Sequence, residues 1–115
     1  MNHQLAEATR RGNEVKVRRA RLKRELRAGE AKLSEILRDE IPDWLATMSA
    51  ERLLCMAPRV GVHAAVSLLQ EAQLGPVQRA RHITSRQRLL LADQLEIIEA
   101  LKPSGRYHVV RQAMA

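Results

Sequence analysis

The chain has 115 residues, enough for one domain with a modest core, and carries 20 Lys and Arg against 13 Asp and Glu for a net charge of +7. That excess points to an anionic partner. The one cysteine, Cys55, excludes a disulfide framework or a cysteine zinc site, and no apolar run approaches the roughly 20 residues of a membrane-spanning helix.

Residues 1–14 show little periodicity, and Gly12-Asn13 is a weak point in any helix, so a frayed start is expected. From Val15 the pattern tightens: Val15, Leu22, Leu26 and Leu33 fall near heptad spacing, which predicts a narrow apolar seam on a long helix. Around it stand Arg10, Arg11, Lys16, Arg18, Arg19, Arg21, Lys23, Arg24 and Arg27, opposed only by Glu14 and Glu25. Two readings stay open: a solvated helix face, or a basic rod along a phosphate backbone with Arg18 and Arg21 among its contacts. Gly29 supplies a stop. A second helix is expected over 31–40, ended by Ile41-Pro42. Pro42 then opens a short helix through Met48 anchored by Trp44 and Leu45. Ser49 reads as the N-cap of a helix over 50–56, in which Cys55 is expected as a small buried hydrophobe.

Pro58, a tight turn at Gly61 and the apolar series Val62, Ala65, Val66, Leu69 and Ala72 describe a short entry into a helix N-terminus. Unpaired N–H groups and the positive end of the helix dipole make such an entry a phosphate-binding device. Leu74-Gly75-Pro76 is expected to end that helix, with a basic surface loop over 77–83. Thr84-Ser85-Arg86-Gln87 matches a capping box. It opens a final helix over 85–102, whose Leu90, Leu91, Leu95, Ile97, Ile98 and Leu101 cover so wide an arc that it is expected at the centre of the core. Pro103-Ser104-Gly105 is a stop, and 103–115 is expected to be a disordered tail. Arg79, Arg81, Arg86 and Arg88 crowd the start of the last helix with almost no acid nearby in sequence. Cations there oppose the dipole, so the pattern makes sense if an anion sits between them. The fold class is all-α.

Enzymatic patterns are missing. His3, His63, His82 and His108 are scattered, none at ligand spacing with a carboxylate. There is no phosphate-loop lysine motif and no nucleophile setting, and no lysine lies between residues 33 and 101. The expectation is a binding protein with no cofactor, no metal and no catalytic residue. With one Trp, one Tyr and no Phe, it cannot stack bases as single-strand binders do; double-stranded DNA held by its phosphates is the expected partner.

Over residues 49–95 the chain resembles the actinobacterial integration host factor family. The resemblance rests on Glu51–Met56, Pro58-Arg59-Val60-Gly61, an apolar helix ending at Leu74, Pro76, and Arg79-Ala80-Arg81 leading into Arg86-Gln87-Arg88. It implies a monomeric nucleoid-associated protein with a helix–two-turns–helix fold, divided into a basic helix and short helices (1–48), a DNA-binding core (49–102) and a tail (103–115). It further implies backbone contacts to DNA at Arg59, Val60, Gly61, Val62 and His63, and a second DNA-facing element at Arg79, Arg81, Arg86 and Arg88. A recombinase or integrase is the protein partner implied, the location is the cytoplasmic nucleoid, and no membrane is involved. Val62 and Ala64 stand where the family carries lysines, and glycines favoured near His82 and Thr84 are replaced. An RNA- or ribosome-binding protein and a helical protein-interaction module are the alternatives.

Overall fold

In a computed structural model describing residues 2–101, six α-helices follow one another: α1 (Asn2–Ala28), α2 (Leu33–Arg38), α3 (Asp43–Ala46), α4 (Ala50–Cys55), α5 (Val62–Glu71) and α6 (Ser85–Glu99). A single 3-10 turn, Ala80–His82, precedes α6. Among the described residues no strand forms, and the fold is all-α. The tail expected at 103–115 lies outside the described residues.

Local chemistry sets most boundaries. Helix α1 stops where Gly29 takes a left-handed φ of 77°. There the Gly29 N–H donates to Leu26 O at 3.2 Å and the Glu30 N–H to Glu25 O at 2.9 Å, closing the last turn on its own carbonyls. The same device ends α5, but Gln73 supplies it: φ is 59°, and the Leu74 N–H donates to Leu69 O at 2.8 Å. The helix therefore stops before Gly75-Pro76 and does not need them. Ser49 caps α4 by accepting from the Arg52 N–H at 3.3 Å. Thr84 and Gln87 form the full capping box of α6, at 3.0 and 3.2 Å. Where a frayed start is expected, the helix already begins at Asn2. Helix α1 runs unbroken through Gly12-Asn13, because Ala, Arg, Glu and Lys on either side offset the roughly 1 kcal/mol a mid-helix glycine costs.

The core is one cluster running from Leu22 and Leu26 of α1 to Leu91, Ala92 and Leu95 of α6. Its tightest layer is α2 laid along α6, with Leu33, Leu37, Leu91 and Leu95 all fully buried. Trp44 packs against the cluster without being sealed inside it, and so does Cys55. Helix α6 is not central all round: Leu89, Leu90 and Ile97 stay 46%, 47% and 64% exposed. Its main partner, α2, is six residues long and covers only a stripe of it. The expected loop at 77–83 is stitched down. The Ala50 N–H donates to Gln78 O at 2.7 Å, and the Ala80 N–H to Met48 O at 2.8 Å. Ser49 and Arg79 form an isolated antiparallel bridge, while Ala80 and Ile83 are buried. Helix α1 leaves this body as a projecting rod, and residues 6–14 are exposed on every side. The molecule accordingly measures 63 × 29 × 22 Å.

Candidate nucleic-acid interface

Between α4 and α5 the chain reverses at Pro58-Arg59. The left-handed residue is Arg59 (φ 69°), not Gly61, which is extended (φ −87°, ψ −176°) and stands at the N-cap of α5. A Cβ built on Gly61 meets nothing within 4 Å, so the glycine is not required by the turn. Its effect is to leave the helix start bare. Helix α5 has no side-chain cap and no acid in its first turn. Among the described residues the N–H groups of Gly61, Val62 and His63 have no acceptor, and all three residues are exposed. Val60 differs: its side chain is buried and its N–H donates to Ala57 O at 3.3 Å.

The arginines divide into clamps and free groups. Arg59 Nη1 donates to Ile98 O at 2.8 Å, placing a cation on the carbonyl end of α6, where the helix dipole favours it. Arg88 donates to Leu37 O at 3.3 Å, to Asp39 O, and to Ser85 Oγ at 3.2 Å, pinning the end of α2 to the start of α6. Arg79 Nη1 donates to Thr47 O at 2.9 Å. The side chains of Arg81 and Arg86 are exposed and, among the described residues, form no hydrogen bond or ion pair. One expectation fails here. Arg81 and Arg88 share a hollow with Glu40 and Asp43, so a loop that is acid-poor in sequence is flanked by acids in space.

Two adjoining hollows lie between α1, α4 and the turn. In one, of about 290 Å³, Arg19 and Lys23 of α1 face Met48, Arg52, Cys55 and Met56. The other, of about 550 Å³, is bounded by Arg27 and by Cys55 through Gly61. Cys55 and Met56 floor both, so the hollows form one groove ending at the bare start of α5. At the opposite end Arg19 Nε donates to Trp44 O at 2.7 Å and Nη2 to Thr47 Oγ1 at 3.0 Å. Thr47 therefore ties Arg19 to Arg79. Burial, and then the charge of Arg52, pull the Arg19 pKa below that of a free guanidinium. Burial, and then Glu51, push the Cys55 thiol up, which keeps it protonated and inert.

The groove thus runs from Arg19 to Gly61, and Arg79 stands outside it, linked to Arg19 through Thr47. Arg18 and Arg21 line neither hollow, and Arg21 faces Glu25 at 3.9 Å. Lys23, Arg27 and Arg52 were not singled out by sequence reasoning as site residues; they are far apart along the chain, and only the four-residue spacing 19–23–27 hinted at a shared flank. Among the described residues no His, Cys, Asp and Glu cluster suits a metal ion, and no helix is long and apolar enough to cross a membrane. The arrangement is suited to holding an extended anion.

A protein of Mycobacterium tuberculosis named Integration host factor is 31% identical over 94 residues, covering 81% of this chain and 90% of that protein. A protein of the same name from Mycolicibacterium smegmatis is 30% identical over 96 residues, covering 83% of this chain and 91% of its own. No family model and no solved structure matches the chain.

Proposed function

The chain belongs to the integration host factor family, and from that premise we propose that it is a monomeric double-stranded DNA-binding protein of the nucleoid. It acts by binding and not by catalysis, and it supports compaction or site-specific recombination alongside a recombinase or integrase. Residues 49–102 are its DNA-binding core. The observation that carries this reading is the uncapped, acid-free start of α5 at the end of a groove walled by cations. Free backbone N–H groups at Gly61, Val62 and His63 take one phosphate. Arg79, Arg81 and Arg86 supply side-chain contacts, while Arg59 and Arg88 hold the helices in place through their carbonyl bonds. Contacts of this kind position a duplex without reading its bases.

Titration of a random-sequence DNA duplex against salt tests the reading. With about six phosphates neutralised, log K falls against log[salt] with a slope of roughly −5; a slope near zero overturns it. Competition by single-stranded DNA and by duplex RNA in the same buffer separates this function from an RNA- or ribosome-binding one, which would favour the RNA.

A further inference from the structure

Helix α1 is not equally basic around its circumference. At about 100° per residue, Lys16, Arg19, Lys23 and Arg27 fall on one flank of the stripe set by the buried Leu22 and Leu26. The opposite flank holds Arg10, Arg11, Arg18 and Arg21 together with Glu7, Glu14 and Glu25, every acid that α1 carries. That flank thus intersperses acids among its bases, as the Arg21–Glu25 pair shows. The other holds no acid.

The acid-free flank is the one facing the groove, since Arg19, Lys23 and Arg27 line it. Across from them stands Arg52, close enough for its charge to lower the Arg19 pKa. None of the residues lining either hollow is acidic or aromatic; Glu51, the acid of α4, lines neither. Bringing like charges together across an open groove opposes folding, and no acid lining the groove offsets it. A polyanion does. The missing aromatics leave no platform for bases, so the occupant presents its backbone and keeps its bases paired.

We propose that the Lys16–Arg19–Lys23–Arg27 flank of α1, with Arg52 opposite, is a track for one phosphodiester strand of a DNA duplex, continuous with the bare N-terminus of α5. This inference rests on the DNA-binding function proposed above and extends its contact surface to a part of the chain outside the helix–two-turns–helix region. Lys16 to Arg27 spans roughly 16 Å at 1.5 Å per residue. A strand presents a phosphate about every 3.4 Å of duplex axis, so the track spans about five.

The test compares two double variants of the full chain that each remove the same charge. Lys23→Gln/Arg27→Gln empties the middle of the track; Arg10→Gln/Arg24→Gln strips the other side of the same helix. On a 20-base-pair random-sequence DNA duplex the first flattens the salt slope by about 1.8 and weakens binding about 30-fold at 0.15 M salt, while the second changes affinity by less than about threefold. Helical circular dichroism and melting temperature are read for both; if the track variant loses its fold, the single substitution Lys23→Gln, at an exposed position, replaces it with an expected loss of about fivefold. Equal weakening by both double variants, or a larger loss from the second, overturns the track. Wild-type protein that binds no duplex at any salt overturns the proposed function itself, a distinguishable result.

Discussion

Along the α2–α6 seam, charged groups meet partners from their own chain. Arg38 bridges Asp93 and Glu96, both at 2.8 Å. The Glu99 carboxylate accepts from the Ser34 N–H at 3.1 Å and from its hydroxyl at 2.5 Å, and Arg88 closes on the carbonyls that end α2. In the α1–α4 groove the cations of opposite walls face one another, and no ion pair joins them. The first region is arranged for the chain alone. The second has no acid in its lining, and the difference lies in where the acids fold to rather than in the number of arginines.

Substitutions in the seam should therefore lower stability and spare affinity, and those in the groove the reverse. The largest effect is expected from Leu95→Ala, which opens a void in the fully buried α2–α6 layer and lowers unfolding free energy by about 3 kcal/mol in a urea titration; a loss under 1 kcal/mol would mean the layer is not the core's anchor. Next comes Glu99→Ala. It strands the hydroxyl of Ser34, which is 1% exposed, and its amide, at a cost of about 2 kcal/mol, with duplex affinity unchanged. Gly61→Asp sharpens the contrast because it moves the two readouts in opposite directions. A carboxylate at the N-cap of α5 raises stability by about 0.5 kcal/mol and weakens DNA binding severalfold, since it occupies the free N–H groups itself. If Gly61→Asp left affinity intact, the helix start would not be a contact. Smallest is Arg38→Ala. Hydrogen bonds that Arg38 donates to Asp93, then to Glu96, hold its proton more tightly than usual, yet the pairs are exposed and screened; the urea midpoint should hardly move, and any shift should vanish in high salt.

Features that depend on a few neighbouring residues were legible in the sequence. The Thr84–Gln87 box, the Ser49 cap and the Gly29 stop read correctly because each is a contact within one turn of its own backbone. Reading failed where distant segments decide. Leu90 and Ile97 look like core residues by type, but nothing in the sequence says that α2 is too short to cover them. Gly61 looked like the turn because glycine usually supplies a left-handed residue; Arg59 takes that role instead, and its clamp on Ile98 O helps hold it there. The acids beside Arg81 come from Glu40 and Asp43, about forty positions upstream. The groove was invisible for the same reason: α1 and α4 meet only once the chain has folded.

The projecting half of α1 carries a consequence of its own. Residues 6–14 are exposed along the whole stretch, and a helical stretch of that length is marginal in water without burial. Its amides should exchange with solvent deuterium orders of magnitude faster than those around Leu22 and Leu26. A ligand lying against the rod would slow that exchange turn by turn outward from the body, so the protection front would mark how far along the helix the contact reaches.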